Sequence, residues 1–337
     1  MKGKIDFAYT PVFMILFLFL ASLLPMPWAI VGGFAFYGIQ QLIGAIKPIG
    51  RWIRENKKPE PNIDKAVKIY IYANAVFFTY MLFQAMTWSW IEIGVMSLLW
   101  GVMTGSVGLA AAHEAVHRKG WMRQFSAMHI MYSQYYLQHR YHHKHYGTEK
   151  DSSWPPVGRN FYKHLLITLP GKQREAHSEN PKEFWICMVL NCVYPLIAFL
   201  IGPKALAFLF LNFFVMLIME EAENYTVHYG MTRDMPEGYS SWSSTKEIFN
   251  ICSFNLGPHE EHHKTGRSNY EVLYKKPVAM YPTTHYEGVL ACLWPPYWFS
   301  IAHPKMKALF RTQQSEGLKE EDLPESFRRE LEKIDAC

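Results

Sequence analysis

The 337 residues are 50% hydrophobic and 19% charged, against roughly 25% charged in an ordinary soluble protein, which speaks against a disordered or nucleic-acid-binding chain. The formal charge of +5, from 34 Lys and Arg against 29 Asp and Glu, is slight, and it is segregated along the sequence. Five scattered cysteines (Cys187, Cys192, Cys252, Cys292 and Cys337) form no C-x-x-C pair, so neither a disulfide framework nor a thiolate metal site is indicated, and any metal must rest on nitrogen and oxygen.

Taken in chain order, the first apolar run extends from Phe7 to Leu24 and carries no charge after Asp6, close to the ~20 residues needed to cross a bilayer core. Pro25-Met26-Pro27 breaks it, and a second run follows from Trp28 to about Ile46. No small-residue cleavage site separates the two, so they read as a helical hairpin and not as a signal peptide. A basic stretch with Lys47, Arg51, Arg54, Lys57, Lys58, Lys65 and Lys68 comes next. Further runs cover Ile69–Met86, Ile91–Ala112, Phe184–Ile201 and Ala205–Met219. Of the three connections Pro25–Pro27, Thr87–Trp90 and Gly202–Lys204, only the last holds a Lys or Arg, Lys204. The positive-inside rule therefore places both termini and every polar block in the cytoplasm. The expectation is an all-α integral membrane protein with six transmembrane helices and a cytoplasmic histidine-rich cap. It divides into 1–112 with four spans, 113–183 with histidine groups, 184–222 with two spans, and 223–337 with further histidine motifs and a charged tail, all within one domain over 1–337.

Fifteen histidines are the loudest feature of the composition. The fourth run ends in His113-Glu114-Ala115-Val116-His117, where i and i+4 imidazoles share one helix face and can grip one metal. By itself this is the H-E-x-x-H of a zinc protease, with Glu114 as general base. His139-Arg140-Tyr141-His142-His143 supplies an H-x-x-H-H group, Asn224-Tyr225-Thr226-Val227-His228-Tyr229-Gly230 follows the sixth run, and His259-Glu260-Glu261-His262-His263 repeats H-x-x-H-H. His113, His117, His139, His142, His143, His228, His259, His262 and His263 make nine, more than the six positions of an octahedral ion, so two ions are the simplest fit. His129, His164, His177, His285 and His303 stand apart and read as surface or hydrogen-bonded side chains. Imidazole alone does not choose among zinc, copper, iron and nickel. A site where membrane helices meet the cytoplasm faces lipid-soluble substrates, whose demanding chemistry is oxygen-dependent attack on C–H bonds; iron is capable of that and zinc has no redox chemistry.

These groups resemble the membrane-bound di-iron family of fatty acid desaturases and alkane hydroxylases, and most closely its alkane and xylene monooxygenases. The segment Asn224–Gly230 is similar to their N-Y-x-x-H-Y-G motif, Asn255–His263 to their N-L-x-x-H-x-x-H-H box, and Tyr281-Pro282 with Leu293–Trp298 to their carboxy-terminal region. The resemblance implies that the nine histidines bind two iron ions, and that O2 and external electrons hydroxylate the terminal methyl of an n-alkane. A rubredoxin-type donor with an NAD(P)H-dependent reductase would supply the electrons, and the protein would sit in the cell inner membrane. The second group departs from the alkane enzymes' E-H-x-x-x-H-H: Gln138 precedes His139 and the spacing is that of desaturases. An acyl-lipid desaturase or fatty acid hydroxylase is therefore the alternative, and a role for His145 stays open. A zinc protease and a histidine-rich metal transporter are further alternatives of different classes. Ligating histidines normally donate their second N–H to a carboxylate or carbonyl; Glu114, Asp151, Glu221, Glu223, Glu237, Glu260 and Glu261 are available, with Glu223 and Glu237 the first candidates. Arg118, Lys119, Arg123, Arg140, Lys144 and Lys264 would suit an acidic electron carrier. Gly101, Gly105 and Gly108 leave room either for a substrate chain or for close helix packing.

Overall fold

The computed structural model describes residues 4–58, 62–235, 240–244, 246–265, 279–283, 285–315, 319, 321 and 323–335. Among these no strand forms beyond two isolated bridges, and the chain is helical. In order it builds α1 (Thr10–Ser22), α2 (Met26–Ala45), α3 (Lys47–Asn56), α4 (Ile63–Gln84) and α5 (Trp90–Val116). Then come α6 (Tyr135–His145), α7 (Phe161–Glu179), α8 (Pro181–Ile201) and α9 (Pro203–His228). After α9 follow α10 (Glu247–Cys252), α11 (His259–Thr265), α12 (His285–Cys292), α13 (Pro295–Ser315) and α14 (Glu325–Asp335).

Among the described residues four helices are long and apolar enough to cross a membrane: Ile63–Thr87, α5, α8 and α9. The first predicted run instead gives a shorter apolar helix over Phe7–Ser22, and the second gives α2. Large apolar side chains stand exposed along these helices, among them Phe13, Phe17, Trp28, Phe34, Ile91, Phe199 and Leu200. An apolar surface of this extent is stable only against another apolar phase, and the protein reads as integral to a membrane.

Short links fix the helix ends. Ser89 caps α5, its hydroxyl accepting from the Glu92 N–H at 3.3 Å while the Ser89 N–H donates to the Glu92 carboxylate at 2.6 Å, a reciprocal pair that satisfies two otherwise orphaned groups. Gly202, at φ +143°, turns α8 into α9 where a side chain would be strained. Lys204 donates to the carbonyls of Met86 and Trp88. The predicted outer links Thr87–Trp90 and Gly202–Lys204 thus lie together.

At the centre, α5 packs along α9. It is the most enclosed of the four long helices, with 78% of its apolar window buried against 22% for α8. Glycine makes this possible: a Cβ on Gly101 would lie 2.5 Å from Val215 Cβ, and one on Gly105 2.6 Å from Met219 Cβ. Close helix packing is therefore what Gly101 and Gly105 provide, while Gly108 meets only ordinary contacts. Between Thr104 and Gly108 the helix widens into a π-helical turn, a feature common beside functional sites, and it stands one to two turns before His113. A membrane-side core gathers Phe78, Trp100 and Phe208; a second core gathers Trp242, Trp298 and Phe327 around the end of α9.

Candidate metal centre

All nine predicted histidines come together, in two adjoining groups. His113, His117, His139, His143 and His262 form one; His142, His228, His259 and His263 form the other, with the ligand atoms of each group within 4.8 Å of one another. Helical periodicity explains the division. In H-x-x-H-H the first and last histidines are four residues apart and share a face, while the middle one is turned away from the last by about 100°. On α6, His139 and His143 serve the first group and His142 the second; on α11 the roles reverse, His259 and His263 serving the second and His262 the first. α5 adds His113 and His117 at its end, and α9 adds His228. His145 joins neither group, its ring lying 4.5 Å from that of Tyr141.

The arrangement is one that could hold metal ions. Nε2 atoms face one another at 3.0 Å for His139–His117, 3.2 Å for His117–His262, 3.1 Å for His143–His262, 3.1 Å for His259–His228 and 2.9 Å for His263–His259. A neutral imidazole carries one N–H, so mutual hydrogen bonding does not satisfy so many converging nitrogens. Both ring nitrogens of His113 are buried with no hydrogen-bond partner among the described residues. Nitrogens bound at about 2.1 Å to a shared ion and set at right angles stand about 3 Å apart, so these donors fit a cation at each convergence. Burial, followed by the neighbouring imidazoles, holds the pKa of His139, His262 and His263 well below the ordinary value. The same two causes push His143 down to about 2. The rings are thus kept in the neutral form that ligates metal.

Asp151 anchors the second group: its Oδ2 lies 2.9 Å from His142 Nδ1, fixing the tautomer that leaves Nε2 for a metal. Asp151 is in turn held by the Ser153 N–H at 3.0 Å, and Asn224 donates to the Ser153 carbonyl at 3.3 Å. The rest of the Asn224–Gly230 motif clamps the same loop. Tyr225 donates to the Arg159 carbonyl at 2.7 Å, Tyr229 Oη accepts from the Gly158 N–H at 2.8 Å, and Gly230, at φ +69°, donates to the Pro155 carbonyl at 2.9 Å. Trp298, from the carboxy-terminal motif, is fully buried with its ring 5.7 Å from that of Tyr229.

Of the two first-choice acids, Glu223 lines a cavity shared with His113 and His259, and Glu237 lies outside the described residues. Gln138 turns away from the histidines toward the Ser153 hydroxyl at 3.1 Å and Glu175 at 3.4 Å. Glu114 is ion-paired with Arg118 at 3.3 Å, an occupation that does not suit the general base of a protease. Arg118 also pairs with Asp64, Arg123 with Glu183 and Lys144 with Glu179, so three of the predicted docking cations already have partners. Lys119 is exposed, and the Lys264 side chain lies outside the described residues. His129 is bonded to Asn74 and His303 to Tyr229. His164 departs from the expectation, being fully buried with both ring nitrogens unpartnered among the described residues.

The cavity touches both groups, through His113 and His259. Leu109, Ala110, Val227, Phe249 and Leu256 give it apolar walls, and Tyr135, Glu220 and Glu223 a polar side. Glu223 was singled out by its place before the Asn224 motif, whereas Asp151 was not distinguishable from the other acids by sequence and Glu220 was missed; the signal for Glu220 lay only in its helical spacing from Glu223.

The family model described as fatty acid desaturase matches residues 88–286. An alkane 1-monooxygenase of Pseudomonas putida is 27% identical over 322 residues, covering 83% of this chain and 79% of that protein. One from Ectopseudomonas oleovorans is 26% identical over 315 residues, covering 80% and 78%. The xylene/toluene monooxygenase hydroxylase component XylM of Pseudomonas putida is 25% identical over 238 residues, covering 63% and 64%. Since the family model spans more than half of its length, this chain belongs to the fatty acid desaturase family, as an oxidoreductase that resembles the alkane 1-monooxygenases.

Proposed function

We propose that the protein is a non-haem di-iron monooxygenase that hydroxylates the terminal methyl group of n-alkane chains, using O2 and electrons from a rubredoxin-type carrier reduced by an NAD(P)H-dependent reductase. The observation that carries the reading is the joining of two histidine groups by one apolar-walled cavity. Together with four membrane-length helices, this suits a lipid-soluble substrate and a two-metal redox centre. In this reading the domain is one unit over 1–337 with six spans in the inner membrane, both termini and the metal centre on the cytoplasmic side.

His113, His117, His139, His143 and His262 would hold one iron and His142, His228, His259 and His263 the other. When bound, iron supplies the redox chemistry that inserts one oxygen atom of O2 into a C–H bond. The chain does the rest. Asp151 keeps the His142 ring in one tautomer, the apolar walls align an alkyl chain by its shape, and enclosure between α5 and α9 keeps water from the reacting carbon.

The test is product analysis by gas chromatography and mass spectrometry on cells that make the protein with a rubredoxin and its reductase. Fed a ladder of n-alkanes, they should yield donor-dependent primary alcohols. The H-x-x-H-H spacing of His139–His143 favours a second reading, an acyl-lipid desaturase or hydroxylase; untouched alkanes with new double bonds or hydroxyls in acyl lipids would establish that reading instead.

A further inference from the structure

Beside the histidine groups, α7 and α9 bury an ion cluster with an unusual count. Lys172 Nζ lies 2.7 Å from Glu220 Oε1 and 2.8 Å from Glu221 Oε1, its side chain only 2% exposed. One ammonium balances one carboxylate, so a purely structural clamp needs one acid here and not two, because an unmatched buried charge is expensive. The second oxygens, Glu220 Oε2 and Glu221 Oε2, are buried without a hydrogen-bond partner among the described residues, as are the Thr168 hydroxyl one turn before Lys172 and the Ser152 hydroxyl beside Gly171. Runs of such atoms are where buried water resides.

The cluster opens on one space through Glu220 and is flanked by a second. The residues flanking Lys172 on α7, Gly171, Arg174 and Glu175, line a polar surface groove together with Ser152 from the preceding loop. Glu175, one turn beyond Lys172, accepts from the Ser152 N–H at 2.6 Å. Glu220 in turn reaches the cavity wall that also holds His113 and His259. The ionisable groups facing Glu220 are Lys172 from α7, Glu221 and Glu223 on its own helix, Tyr132 and Tyr135 at the entry to α6, and His113 and His259 in the shared cavity. Burial pulls the Lys172 ammonium down, but Glu220 and Glu221 outweigh it and hold its pKa well above the ordinary lysine range. Lys172 therefore stays charged, as an anchor, and the carboxyls are the groups left to carry a mobile proton.

We propose that Glu220 and Glu221, held by Lys172, relay protons from the Ser152–Glu175 groove to the cavity. The inference rests on the hydroxylation reading above and deepens it. Forming an alcohol and water from a hydrocarbon and O2 consumes two electrons, which the carrier protein supplies, and two protons, which must enter an otherwise apolar enclosure. Each passage moves one proton from groove water to the Glu221 and Glu220 carboxyls, then into the cavity, where it leaves in product water. The carboxyls are reprotonated from the groove and are unchanged after turnover.

The experiment compares iron-loaded wild type with Glu220→Gln, Glu220→Asp and Glu221→Gln. Relay action predicts that Glu220→Gln keeps its iron and melting temperature but loses turnover by roughly 100-fold or more. It should also show a larger solvent deuterium isotope effect and peroxide in place of part of the alcohol, and Glu220→Asp should recover most of the rate. An iron-replete Glu220→Gln with unchanged turnover and isotope effect overturns the proposal. A second readout needs neither metal nor substrate. Infrared spectra of metal-free protein should contain a carboxylic-acid C=O band that shifts in D2O and is lost in Glu220→Gln or Glu221→Gln; a spectrum unaltered in both variants overturns the relay. Absence of alcohol from wild type would overturn the hydroxylase reading alone, since the infrared band is judged separately.

Discussion

The two histidine groups are built from the same device and end up unequal. α6 and α11 each present H-x-x-H-H, and each gives two rings to one group and one to the other. The remaining contributors break the symmetry: α5 brings the pair His113 and His117, whereas α9 brings His228 alone. Five histidines therefore face four. An octahedral ion with four imidazoles keeps more room for exogenous ligands than one with five, and the smaller group is also the one braced by Asp151. The number of rings and their outer support are thus set separately, the first by what α5 and α9 add and the second by the loop that the Asn224–Gly230 motif clamps.

Breaking the larger group should have the greatest effect. His262 is its only ring from α11 and lies 3.2 Å and 3.1 Å from His117 and His143. His262→Ala should abolish donor-dependent turnover and lower bound iron; a fully active, iron-replete variant would refute the ligand assignment. The brace on the smaller group comes next. Asp151→Asn keeps the shape but weakens the hold on the His142 tautomer, and metal affinity or activity should fall about 10- to 100-fold, as read by iron titration. Equal affinity in wild type and variant would mean that the brace is unimportant.

A smaller loss should follow from disturbing the helix pair that carries both groups. In Gly105→Val the added Cβ lies 2.6 Å from Met219 Cβ, and overpacking should cost about 1–3 kcal/mol, visible as a lower melting temperature. The mildest probe is pH. His139, His262 and His263 are held well below their unfolded value of 6.5, and His143 is held at about 2. Protonation therefore favours the unfolded chain. The metal-free protein should keep its full stability above the unfolded value and lose it progressively as pH falls below about 6.5. Thermal melts between about pH 8 and about pH 5 check this sign, and a stability that rises on acidification would contradict it.

The nine histidines were legible in the sequence because the spacing of i, i+3 and i+4 residues is a property of the helix itself. Which ring joins which group was not legible, since it depends on how α6 and α11 face each other, a matter of tertiary packing. The acids show the same limit. Asp151 lies nine residues past His142 in a loop, where no periodicity marks it, and Glu223, preferred for its place beside the Asn224 motif, lies on the cavity wall. Lys172 sits in the stretch Gly171-Lys172-Gln173-Arg174-Glu175, which reads as a solvated cytoplasmic surface; only the packing of α7 on α9 shows it buried. Hydropathy located the four long helices, but it did not foresee that the first run would form a shorter helix over Phe7–Ser22, or that α5 would widen to a π turn before His113.

The central claim is that each histidine group holds one iron ion. The most direct test is the metal content of the purified full-length protein, measured by mass spectrometry of the elements against protein concentration. The account predicts two iron ions per chain, lost together with activity on chelation. One zinc per chain with no iron would contradict it.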